Sequence, residues 1–112
     1  MPGAYRTAVG GEGMQMISAN AAPTTGSALA VAAARKVVKA TVSGTGAVSA
    51  SIDIYGNVHA VNSGGVKLGT LSPSGTTSAV DGIAFDAPWP FLYAVLTAIS
   101  GTGAIAIAEV SF

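Results

Sequence analysis

The five residues SGTGA occur twice in this chain, at positions 43–47 and again at 100–104. Each copy sits between apolar runs: KVVKATV and VSASIDI flank the first, FLYAVLTAI and IAIAEVSF the second. Around the first copy the pattern alternates. Val38, Ala40 and Val42 take one side with Lys39 and Thr41 on the other, then Val48, Ala50, Ile52 and Ile54 with Ser49, Ser51 and Asp53. A period of two over this length is a half-buried antiparallel strand, because successive side chains leave opposite faces of a pleated backbone. Gly44 and Gly46 admit the positive φ angles of a tight loop. Each copy is therefore expected to close a β-hairpin, and the two hairpins to frame a sandwich.

The rest of the chain reads as short strands between turns. Residues 27–33 are too few for a helix that stands alone, which needs about 12, and are predicted to be a strand. Tyr55-Gly56-Asn57 reads as a turn, 58–61 as a short strand and 62–65 as a turn. Residues 66–71 are the next strand, ended by Ser72-Pro73-Ser74-Gly75. Residues 76–80 give a weak signal, Asp81-Gly82 a turn and 83–85 a short strand. Pro88 and Pro90 have no N–H for a ladder, so they mark a sheet edge or a corner. Trp89 between them suits a lid over one end of the core or a contact with a partner or a ligand. The last hairpin is apolar on both faces: Phe91, Tyr93, Val95 and Ile99 against Leu92, Ala94, Leu96 and Ala98, and Ile105 and Ile107 against the alanines beside them. A strand apolar on both sides has to be covered on both sides. The second cover is expected from another copy, a partner or the N-terminal segment.

Residues 1–24 lack either period and are interrupted by Gly3, Gly10, Gly11 and Gly13. They read equally as a flexible tail or as an extended arm that docks on a neighbouring subunit through Met14, Met16 and Ile17, ahead of one sandwich domain over 25–112. The fold class is thus all-β: an antiparallel β-sandwich, jelly-roll or immunoglobulin-like, with an extended N-terminal arm. At 112 residues one domain is expected.

Only 9% of the residues are charged and the formal net charge is zero. Soluble domains average about 25% charged, so such a surface is prone to associate. There is no cysteine, hence no disulfide frame or thiolate chemistry. The start of the chain has no apolar stretch of signal-peptide type, and its apolar runs fall short of the ~20 residues of a membrane span. Arg35, Lys36 and Lys39 cluster loosely and read as a solvated strand end rather than a nucleic-acid patch.

Chemistry-bearing constellations are sparse. His59 lies in a Gly- and Asn-rich turn region and no motif frames a serine, so no triad can be argued. Metal binding would need His59 with some of Asp53, Asp81, Asp86, Glu12 or Glu109, and none has ligand spacing. Asp81 and Asp86 read as turn-capping carboxylates before a weak Ca²⁺ site. The glycines of SGTGA join strands, whereas a phosphate cradle joins a strand to a helix. No catalytic, cofactor or metal residue is expected, and the chain is not expected to be an enzyme.

Residues 66–112 resemble small virion proteins of tailed bacteriophages, which pair a D-G-apolar-x-apolar-D-A-P-W segment with a C-terminal SGTGA hairpin. The matching positions are Asp81, Gly82, Asp86, Ala87, Pro88 and Trp89, then 97–104. The resemblance implies a sandwich module on a virion, assembled in the host cytoplasm, and carries over no catalytic residues. The expected function is a capsid decoration or cement protein that stabilises the head shell. Its expected partners are the major capsid protein or another virion protein and further copies of itself, as a trimer or dimer, with no nucleic acid and no membrane. The expected interface is Met14, Met16, Ile17, Pro88, Trp89, Pro90, Leu92, Leu96, Ile105, Ile107 and Phe112. A tail, neck or fibre-base component is the alternative within the virion. A small carbohydrate- or cell-surface-binding sandwich is the alternative outside it, resting on Trp89, Tyr55 and Tyr93.

Overall fold

The structure, a computed structural model, describes residues 13–31, 35–86 and 88–111. Seven strands form it: β1 (Gly13–Asn20), β2 (Thr24–Thr25), β3 (Leu29–Ala30), β4 (Arg35–Asn57), β5 (Val66–Leu71), β6 (Ser74–Asp86) and β7 (Phe91–Ser111). All pairings are antiparallel, and no helix occurs among the described residues.

The two SGTGA copies do not turn the chain. β4 and β7 run through them as strands of 23 and 21 residues that pair along nearly their whole lengths, from Val37 opposite Ser111 to Asn57 opposite Phe91. The copies meet in the middle, where the register slips on either side of Thr45 and Thr102. Positive φ is indeed used, at Gly46 (φ 74°) and Gly103 (φ 64°), but it makes bulges, which insert residues and bend a strand without reversing it. The long partner wins because each half of β4 finds in β7 a matching inner row. Val38, Ala40 and Val42 lie opposite Val110, Ala108 and Ala106, while Ile52 and Ile54 lie opposite Leu96 and Ala94.

On one side of the bulges the strand order is β1, β7 (105–111), β4 (37–43), β6 (78–86). On the other side it is β2 and β3, β7 (91–100), β4 (49–57), β5. β6 begins beside Ser49 and bends at Thr77 (φ 62°) to follow β4 into the first group. Val38, Ala40 and Val42 before the bulge, and Val48, Ala50, Ile52 and Ile54 after it, face inward, as the alternation predicts. They join Leu92, Ala94, Leu96, Ala106, Ala108 and Val110 in one buried cluster. The two groups also touch where no ladder joins them: a Cβ added at Gly69 of β5 would stand 2.7 Å from Ile83 Cδ1 of β6.

Several local expectations differ from this fold. Of the arm expected over 1–24, β1 and β2 pair with β7 inside the chain, and residues 1–12 lie outside the described ones. Met16 and Ile17 are buried in the chain's own core, because β1 closes the free edge of β7. Residues 55–57 continue β4, and residues 58–61 form an exposed loop. Asp81-Gly82 lies mid-strand in β6, since the ladder to Ala40 and Lys39 continues straight past it. Of 27–33, only Leu29–Ala30 is strand, and 32–34 lie outside the described residues.

Candidate functional site

The outward face of the first strand group carries the least expected surface. Alternation sends Val37, Lys39 and Thr41 outward from β4, Val80, Gly82 and Ala84 from β6, and Ile105, Ile107 and Glu109 from β7. The register sets them in rows: Val80–Thr41–Ile107, Gly82–Lys39–Glu109 and Ala84–Val37–Ser111. Val80 is 63% exposed and Val37 52%, high values for large apolar side chains. Gly82 has no side chain, and an open trough of about 590 Å³ lies over its row and the next, lined among others by Val37, Lys39 and Glu109. At the end of this face Arg35 and Asp86 stand 3.8 Å apart, both largely in water, which makes that pair worth little.

The expected interface residues divide. Ile105 and Ile107 do reach this outer face, half-buried among their neighbours. Leu92 and Leu96 are fully buried inside the chain and offer no surface, as do Met16 and Ile17; Met14 packs half-buried against the same core. Pro88 and Pro90 are exposed. Trp89 lies over the sheet end at Gly56, where an added Cβ would meet its indole Cγ at 2.6 Å. That is the lid position. Phe112 lies outside the described residues.

The second strand group has a different outer face. Tyr55 and Tyr93 are cross-strand neighbours with rings stacked at 5.0 Å and 6°. Nothing in the spacing of the sequence shows this, because the register of two strands nearly forty residues apart decides it. Tyr93 is buried, and its hydroxyl accepts the Gly65 N–H at 3.0 Å. The loop over it is shaped by the buried Asn57, whose Nδ2 donates to the carbonyls of Val61 and Ser63 while its Oδ1 accepts the Val58 and His59 N–H groups. Beside the tyrosines, Asp53 accepts from the Thr70 hydroxyl at 2.7 Å and stands 3.5 Å from Lys67. Trp89 belongs to the inner side of Gly56 and so does not join Tyr55 and Tyr93 in one aromatic platform.

Asp81 caps as expected, but within a strand: its carboxylate accepts the Ser72 and Gly82 N–H groups, each at 2.9 Å. The basic cluster does not lie wholly in solvent. Arg35 and Lys39 are exposed, whereas Lys36 points inward, and burial lowers its pKa from the usual lysine value. Among the described residues no group of three or more His, Asp or Glu side chains is placed to hold a metal ion, and no helix is long and apolar enough to cross a membrane.

No protein-family model, no curated protein and no solved structure matches this chain.

Proposed function

We propose that this chain is a structural β-protein of a bacteriophage virion, a capsid decoration or cement subunit that works by covering and joining other subunits. The observation that carries this reading is the outer face of β4, β6 and β7. It presents Val37 beside Ala84, and Val80 and Ile107 on either side of Thr41 with Ile105 beyond, the two sets flanking the Gly82–Lys39–Glu109 row, in a chain with 9% charged residues. Large apolar side chains left this exposed around an open trough suit an interaction surface.

The finer fold fits the same reading. With β2 and β3 taken as one segment and β4 and β7 divided at the bulges, the chain gives eight strand segments, with 1-8-3-6 in one group and 2-7-4-5 in the other. That is the order of a jelly-roll sandwich, an architecture of viral capsid proteins and also of lectins. The fold leaves both functions open, so the surface has to decide. The covered Tyr93 and the separate Trp89 speak against a sugar platform, while the resemblance of residues 66–112 to small virion proteins favours the shell.

The test is sedimentation velocity of the purified chain alone and with empty phage shells. Self-association or saturable shell binding, lost when Val37 is replaced by lysine, is the expected result. A monomer that sediments unchanged beside shells overturns the reading.

A further inference from the structure

Among the described residues, the longest regular free edge belongs to β6. From Ser78 to Asp86 it pairs residue by residue with β4 and with no other strand among the described residues. The other long edge strand, β1, is broken by two register shifts. In β6 the Gly82 N–H is held by the Asp81 carboxylate and so lies outside the ladder to β4. Alternation then sends the N–H and C=O groups of Ser78, Val80, Gly82, Ala84 and Asp86 to the open side. Such a row of unpaired main-chain groups is a template for another strand.

We propose that the strand it takes is β6 of a second copy, antiparallel, about a two-fold axis at Gly82. This rests on the assembly reading above and says how copies join. Gly82 is the midpoint of the regular run 78–86, so this register uses all of it. Val80 then stands opposite Ala84 of the second copy, both pointing outward, so that Val37 and Ala84 of each copy run on to Val80 of the other in two apolar rows that flank the Lys39–Gly82 row at the axis. Asp86 meets Ser78 and Asp81 meets Ile83, so no carboxylate faces another. Like charges directly opposite are the usual obstacle to self-pairing, and none arises here. At the axis the two glycines exchange main-chain hydrogen bonds with no side chains between them. Each Gly82 N–H leaves its Asp81 carboxylate to do so.

The chain has no cysteine, so single-cysteine variants report the register. A Cβ at Gly82 meets only the Val38 carbonyl oxygen, at 3.4 Å, and Gly82→Cys is expected to form a disulfide-linked dimer as its main product under mild oxidation. Val80→Cys lies about 13 Å from its own mate in this register, beyond the ~7 Å limit for a disulfide, and is expected to stay largely uncrosslinked. Val80→Lys and Gly82→Pro leave the β4 ladder untouched and are expected to weaken association at least tenfold by sedimentation equilibrium, with far-UV circular dichroism unchanged. Equal crosslinking of the two cysteine variants overturns the register. Oligomers that persist in Val80→Lys overturn the edge pairing while leaving the assembly reading standing. A wild-type monomer at all concentrations overturns the pairing, and shell binding then judges the broader reading separately.

Discussion

Thr45 faces Thr102 across the β4–β7 ladder, each the central residue of its SGTGA copy. The two copies therefore run antiparallel past one another, and the second glycine of each adopts positive φ. One short sequence used twice bends two partnered strands at the same place, so the ladder resumes on both sides without breaking.

Gly46 and Gly103 have empty space where a Cβ would go, so the cost of alanine there is conformational only. Each Gly→Ala change is expected to lower unfolding free energy by about 1–2 kcal/mol. Gly101→Ala is expected to cost more, since φ is 128° and the new Cβ would stand 2.8 Å from the Ala47 carbonyl oxygen. Urea denaturation midpoints across the series check the order. A neutral Gly46→Ala would show that the bulge does not depend on left-handed backbone.

Asn57 ties down the 58–63 loop with four hydrogen bonds from a buried amide. Asn57→Ala leaves those partners unsatisfied and is expected to cost about 1–3 kcal/mol. Faster amide exchange at Gly65, which donates to Tyr93, is the accompanying sign. Unchanged Gly65 exchange would mean the loop is held by something other than Asn57.

Gly56 lies under the only tryptophan of the chain. Gly56→Ala pushes a methyl into the indole, and overpacking of this kind costs about 1–3 kcal/mol. The Trp89 emission maximum is expected to move to longer wavelength as the ring lifts from the sheet end. Emission identical to the parent protein would remove the lid assignment.

Much of the fold was legible because alternation is local. Val38 to Val42 and Val48 to Ile54 point where period two puts them, and Lys39 and Thr41 face out. The failures share a cause: they depended on partners distant in sequence. SGTGA reads as a hairpin until β7 offers β4 a longer partner, and Asp81-Gly82 reads as a turn until β4 holds it straight. The exposed valines Val37 and Val80 escaped notice because they come from separate strands and share one face only once the register is set.

Lys36 gives a pH signature. Burial lowers its folded pKa below the unfolded value, so the unfolded chain binds more protons between the two values. Stability is therefore expected to rise with pH from the depressed folded pKa up to about 10.5, the ordinary lysine value, and to level off above it. The comparison is with Lys36→Met, in which this rise is absent. Parallel stability–pH curves for the two proteins would mean that Lys36 is solvated in the folded state.

Asp81 holds the central donor of the proposed β6–β6 pair, the Gly82 N–H, at 2.9 Å. Asp81→Ala acts in two opposite ways. It removes the acceptor for the Ser72 N–H as well, which is expected to cost the single chain about 0.5–1.5 kcal/mol. It also frees the edge donor in both copies, so that pairing no longer displaces a carboxylate; at about 1 kcal/mol per released bond the dimer is expected to tighten roughly tenfold or more. A lower melting temperature at low protein concentration together with tighter self-association by sedimentation is a combination that simple destabilisation does not produce. Weaker association in Asp81→Ala would mean that the carboxylate supports the contact between copies, and that β6 does not pair through Gly82.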